Sequence, residues 1–103
     1  MIKVSVLYPN SDGSKFDMDY YLNTHFPMVQ EKLGVACKAV SVEQGLSGPF
    51  PGSQAAFVAM GHMTFDSVEA FQEAFMPHAE TLMSDIPNFT DIQPVVQISS
   101  IRL

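Results

Sequence analysis

Ile2, Val4, Val6 and Tyr8 alternate with Lys3, Ser5 and Leu7 at the start of the chain, the period-2 pattern of a β-strand over Ile2–Tyr8. Turn-forming residues then crowd together in PNSDGSKF. From Asp17 to Leu33 the spacing is helical. Met18, Leu22, His25, Val29 and Leu33 fall in one stripe, with Tyr21 just to one side, so His25 is expected to face the sheet. Pro27 disturbs that helix. It cannot donate to the carbonyl of Asn23, its ring crowds that carbonyl, and Phe26 before it is pushed away from helical dihedrals. The helix is therefore expected to loosen between Asn23 and Met28, leaving a carbonyl and the Asn23 amide beside His25.

ACKAVSVEQ (Ala36–Gln44) reads as a second strand, and GLSGPFPGSQ (Gly45–Gln54), with three glycines and two prolines, as a loop. AAFVAMGHMTF (Ala55–Phe65) is apolar at almost every position, which predicts a strand buried on both faces. Asp66 and Glu69 form a D-x-x-E variant of the capping box, with Phe65 and Ala70 at staple positions, and so predict the start of a second helix. Val68, Phe71, Phe75, Ala79 and Leu82 carry that helix onward, and Pro77 predicts a kink or a break near Phe75–Pro77. Ser84–Asp91 reads as a loop. QPVVQISSIRL reads as a closing strand, with Pro94 near its beginning, where a missing N–H is tolerated.

The order is β-α-β-β-α-β. It suits an α+β, ferredoxin-like fold in one domain over residues 1–103: an antiparallel four-stranded sheet with both helices on one face. Helices cover one face, yet the third strand is apolar on both. A symmetric partner sheet is the economical cover, so a homodimer is expected. Composition points the same way, because 47% of the 103 residues are hydrophobic and a lone two-layer domain of this size has limited interior.

Charge narrows the partners. Five basic against eleven acidic residues give a net charge of −6, which repels a phosphate backbone, so neither nucleic acid nor an anionic membrane is expected as a partner. No apolar run reaches the roughly 18 residues a membrane span needs, and MIKVSVLYPNSDG lacks a signal-peptide core. With one cysteine, Cys37, and therefore no internal disulfide, a cytoplasmic protein is expected, and Cys37 beside Lys38 reads as an ordinary thiol. Neither G-x-S-x-G, G-x-G-x-x-G nor a P-loop occurs, so no nucleotide cofactor is indicated.

His25 carries the chemistry. An inward imidazole is either a core ring hydrogen-bonded to a tyrosine hydroxyl or a carbonyl, or a pocket residue able to exchange a proton near neutral pH. Burial would keep it uncharged in the absence of a carboxylate partner, and no carboxylate stands at a metal-ligand spacing from it. His62 shares a strand face with Val58 and Met60, and His78 follows Pro77. No two histidines have the close spacing of a metal motif, so no metal is expected. Met18, Met28, Met60, Met63, Met76 and Met83 are mostly core by spacing, and some could line an adaptable apolar cavity.

FDMDYYLNTHFPMV (Phe16–Val29) resembles the first-helix signature of the EthD family, within the dimeric α+β-barrel superfamily: an aromatic, a tyrosine pair, then His-x-Pro and an apolar residue. Here those are Phe16, Tyr20, Tyr21, His25, Pro27 and Met28. HMTFDSVEAFQEAF (His62–Phe75) resembles the family's third strand and second helix, and NFTDIQPVVQIS (Asn88–Ser99) its closing segment. The resemblance implies a homodimer whose sheets pack into a barrel, with one cavity per subunit between sheet and helices. It carries over His25, with Tyr21 and Asn23 as neighbours. The family is named for association with ethyl tert-butyl ether degradation, and superfamily relatives include cofactor-free polyketide monooxygenases, muconolactone isomerases and haem-handling enzymes. Tryptophan is absent here, unlike in certain quinone-forming monooxygenases and haem oxygenases of that superfamily.

Three functions stay open at this point. The first is a cofactor-free enzyme acting on a small hydrophobic oxygenated molecule, of isomerase or monooxygenase type. His25 would be its acid/base, Tyr8, Tyr21 or Asn23 would orient a substrate oxygen, and Met28, His62 and His78 are further candidates for the pocket. The second is a non-catalytic carrier of an apolar metabolite, or an accessory to a neighbouring oxygenase. The third is haem binding through His25 or His78.

Overall fold

The structure, a computed structural model, describes residues 1–103. Its elements are β1 (Ile2–Pro9), α1 (Met18–Tyr20), a π-turn (Tyr21–His25), α2 (Phe26–Leu33), β2 (Ala39–Gln44), β3 (Phe57–Phe65), α3 (Val68–Phe75), α4 (Ala79–Ser84) and β4 (Val95–Ser100). Short 3₁₀ turns cover Gly34–Ala36, Met76–His78 and Ile86–Asn88. The four strands form one antiparallel sheet in the order β2-β3-β1-β4, the ferredoxin-like arrangement expected from the element order. No helix is long and apolar enough to cross a membrane.

The alternation at the start of the chain sets the layers. Val4 and Tyr8 pair with Met63 and Ala59 of β3, and all four are buried on the helix-covered face. Phe65 closes one end of that row and Tyr8 the other, each at most 1% exposed. β3 was expected to be buried on both faces. Within the single chain Ala59, Gly61, Met63 and Phe65 are buried, while Val58, Met60, His62 and Thr64 on the opposite face are half-buried, because no helix lies over that side. The strand begins at Phe57 rather than Ala55, and β2 at Ala39 rather than Ala36, where the Gly34–Ala36 turn takes the intervening residues.

The first helix departs most from expectation. It comes in three pieces, and the loosening lies over Tyr21–His25, before the proline rather than around it. The Phe26 N–H reaches back to the Tyr21 carbonyl, five residues away. Pro27 then stands at the second position of α2, directly after the widened turn, and Phe26 keeps helical dihedrals (φ −65°, ψ −40°). The wide turn rotates less per residue than an α-helix. Upstream residues therefore fall out of the predicted stripe: Leu22 emerges 45% exposed and Tyr21 takes the inward place, 1% exposed.

The second helix breaks at Pro77 as expected, into α3 and α4 with a 3₁₀ turn between. Its cap is not the predicted one. Ser67, in extended conformation, accepts the Ala70 N–H at 3.0 Å, and Asp66 instead faces Lys38 at 4.0 Å in solvent. The Ser84–Asp91 segment, expected to be plain loop, contains the Ile86–Asn88 turn and is tied down. The Asp17 N–H donates to the Phe89 carbonyl at 2.7 Å, the Lys15 N–H to Asp91 Oδ1 at 2.9 Å, and the Thr90 hydroxyl to the Lys15 carbonyl at 2.6 Å. These bonds hold the start of the first helix against the segment that follows the second.

Candidate functional site

Between the sheet and the broken helices lies an apolar cavity of about 540 Å³, within the range of small-molecule sites. Val4, Val6 and Tyr8 of β1, Met63 of β3 and Val96 of β4 form its floor, and residues of α2, α3 and α4 its roof. The cavity exists because the helices do not cover the sheet evenly. Val96 and Ile98 of β4 point to the helix side by register with Val6 and Val4, yet remain 53% and 39% exposed.

One end is aromatic. The Tyr8, Phe16, Tyr21 and Phe89 rings meet edge-on or tilted with centroids 5.0–5.9 Å apart, and Tyr21 stacks on the His25 imidazole at 5.7 Å and 15°. Phe89 lies against the same imidazole, 4.6 Å between centroids. Gly61 makes this packing possible, since a Cβ there would overlap the Tyr21 hydroxyl and come within 3.0 Å of Phe26 Cε2.

His25 is 6% exposed and lines the cavity. Its Nδ1 is 2.8 Å from Asp85 Oδ2, at the C-terminal end of α4. The other carboxylate oxygen of Asp85 accepts from the Tyr20 hydroxyl at 2.8 Å and from the Asn88 amide at 2.9 Å. Burial pushes the Asp85 carboxyl up, but the donors Asn88, His25 and Tyr20 outweigh it and hold the group below the usual carboxylate range. An ionised Asp85 accepts the Nδ1–H, so in the neutral ring the lone pair sits on Nε2, which makes no hydrogen bond within the chain. The bond to Asp85 raises the Tyr20 hydroxyl above the ordinary phenol range. Burial does the same for Tyr8 and Tyr21, whose hydroxyls are neighbours, so all three stay protonated at neutral pH.

The structure sorts the candidates taken from the sequence. Tyr8, Tyr21 and His25 come together at the aromatic end of the cavity. Asn23 does not join them, because two residues before His25 along the helical turn it faces away from the sheet, into solvent. Met28 packs half-buried against the core without lining the cavity. His62 lies on the far face of the sheet, where its Nδ1 is 2.8 Å from Ser5 Oγ and its Nε2 3.0 Å from Glu43 Oε1. His78 sits half-buried in the turn between α3 and α4, outside the lining. Of the two histidines considered for haem, only His25 borders the cavity. The partner of His25 is neither the tyrosine hydroxyl nor the carbonyl expected for a core ring but Asp85, sixty residues away in sequence, and the missed partners Tyr20 and Asn88 belong to the same network. No group of three or more His, Cys, Asp or Glu side chains is placed to hold a metal ion. Cys37 is half-buried at the edge of the core, and burial pushes its thiol up, away from the reactive range.

Comparison with known proteins agrees with this architecture. The family model described as EthD domain matches residues 14–93. An EthD-like protein from Ralstonia eutropha JMP134 is 46% identical, with a TM-score of 0.95 over 99% of this chain and 92% of that one. A member of the ethyl tert-butyl ether degradation (EthD) family from Bacillus halodurans C-125 is 21% identical, with a TM-score of 0.75 over 99% of each chain. At3g17210 from Arabidopsis thaliana shares the fold at 19% identity, with a TM-score of 0.68 over 100% of each chain. No curated protein matches the sequence.

Proposed function

The chain belongs to the EthD family, and from that premise and the geometry of its cavity we propose an enzyme that moves a proton on a small hydrophobic oxygenated organic molecule. The reaction is of the isomerase or cofactor-independent monooxygenase type, in a catabolic or secondary-metabolite pathway. The observation that carries the reading is the His25–Asp85 pair, 2.8 Å apart, at the wall of an otherwise apolar cavity.

Asp85 holds Nδ1–H, so Nε2 accepts a proton from an acidic C–H or O–H of the substrate. The C–H or O–H electron pair stays on the substrate as an enolate or phenolate. The imidazolium formed is stabilised by Asp85, and it returns the proton at another position when the reaction is an isomerisation. Tyr8 and Tyr21, kept as neutral phenols by burial, offer donors to the oxygen on which negative charge develops.

General acid–base catalysis is worth on the order of 10²–10⁴ in rate. Turnover of lactones and hydroquinones by His25→Ala is expected to fall by that order, with Asp85→Asn falling less. Unchanged turnover in His25→Ala removes the role. A second reading, a non-catalytic carrier or accessory, draws support from the scarcity of polar groups, fifteen of the eighteen lining residues being hydrophobic. Ligand binding that survives His25→Ala, with no turnover in either form, would favour it.

The assembly in this reading is a homodimer. What supports it is the helix-free face of the sheet, where Leu7 stands in register with Met60 and Val95, and where the Ser5–His62–Glu43 network lies. Light scattering at micromolar protein is expected to give twice the mass of the 11.3 kDa chain, and a monomer would refute it.

A further inference from the structure

The sign of the charge around the cavity restricts what can enter it. Among the lining residues only His25 and Glu80 carry an ionisable group other than a phenol, and no lysine or arginine takes part. Lys3 stands on the opposite face of the sheet by its register with Thr64 and Ser99. Lys15, Lys32, Lys38 and Arg102 occupy exposed positions outside the lining. His25 brings at most one positive charge, and the ionised Asp85 beside it cancels that charge. Glu80, exposed in the first turn of α4, then leaves the mouth net negative, on a chain of net charge −6.

We propose that the cavity selects neutral molecules and rejects carboxylates, with Glu80 at its rim as the specificity-determining residue. The substrate class is an uncharged, largely apolar phenol or enolisable ketone, with room for on the order of 18 heavy atoms at the density of liquid water. An anion would surrender its hydration to walls that return neither a cation nor enough donors. A phenol or ketone brings one oxygen, which can accept from the buried hydroxyls of Tyr8 and Tyr21, and a phenol O–H can in addition donate to Nε2 of His25. This inference rests on the cavity being the ligand site, as in the proposed function, but not on any reaction taking place there.

The test uses 2-naphthol and 2-naphthoate, matched in their rings and different in charge at neutral pH. Their fluorescence is read directly, since the protein has no tryptophan. The wild-type protein is expected to bind 2-naphthol on the order of tenfold more tightly than 2-naphthoate. Glu80→Lys should narrow that ratio by improving naphthoate selectively, with Glu80→Gln in between. The preference should persist in His25→Ala, so a failure of the acid–base role leaves the charge selection standing. Naphthoate binding as tightly as naphthol, no binding of either probe, or a Glu80→Lys variant that leaves the ratio unchanged would each overturn the proposal.

Discussion

Gly61→Ala tests whether the aromatic end of the cavity is as rigid as its contacts imply. A Cβ at this position overlaps the Tyr21 hydroxyl and stands 3.0 Å from Phe26 Cε2. Tyr21 cannot swing away cheaply. It is 1% exposed and sits among the rings of Tyr8, Phe16, His25, Phe26 and Phe89, all with centroids within 5.7 Å of its own. Overpacking of this kind costs about 1–3 kcal/mol. Replacing glycine in a strand returns roughly 0.5–1 kcal/mol through the unfolded chain. The central expectation is a loss of about 1 kcal/mol, or a fall of roughly 4–8 °C in Tm for a domain near this size. The assay is thermal and urea unfolding at fixed protein concentration, repeated in a Tyr21→Phe background. Removing the hydroxyl removes the worse of the two overlaps, so the alanine should cost on the order of 1 kcal/mol less there. A Gly61→Ala protein as stable as wild type, or one equally destabilised in both backgrounds, would refute the claim that Tyr21 is held against β3.

Two further outcomes are expected. Ser67→Ala should cost about 1 kcal/mol by removing the acceptor of the Ala70 N–H, and Asp66→Ala only a few tenths; urea midpoints in the reverse order would show that Asp66 is the cap after all. Asp85 is held below its ordinary range, so its contribution to stability is present above the unfolded-state value of about 3.9 and is lost as pH falls through the lower folded-state value. The gap in urea midpoint between wild type and Asp85→Asn should therefore be open at pH ~5 and close below pH ~4, and a gap that stays constant on acidification would contradict the assignment.

What could be read from the sequence divides by range. Ile2–Tyr8 and the Val68–Leu82 run announce their elements through local periodicity, and the break at Pro77 follows from the missing N–H alone. Their order then limits the sheet to few topologies, and the observed one is the ferredoxin-like choice. His25 was legible because a polar ring on an apolar stripe is anomalous in itself. Asp85 was not. It lies in SDIPNFTD, where nothing in the local pattern separates it from Asp91, and only the tertiary fold brings the residue after α4 within 2.8 Å of the imidazole. Asn23 and His62 failed for a different reason, since each sits one face away from the cavity. For His62 the strand period of two already decides this: it stands beside Gly61 and Met63, which are buried under the helices, and must point the other way.

The π-turn joins the local and the long-range parts of the site. A regular helix through Asp17–Leu33 would have placed both Leu22 and Tyr21 beside His25 and filled the space between helix and sheet with an aliphatic chain. Pro27 makes that helix unfavourable by crowding the Asn23 carbonyl, and the chain responds with one residue too many in the preceding turn. That extra residue turns Leu22 out to solvent and brings the flat face of Tyr21 onto the imidazole, 15° from parallel. His25 keeps its inward direction because the straight helix α2, with Val29 and Leu33 buried beneath it, begins immediately after it. Tyr21 and Phe89 thus pack on the one ring while Asp85 holds its Nδ1, and Nε2 is left without a partner in the chain.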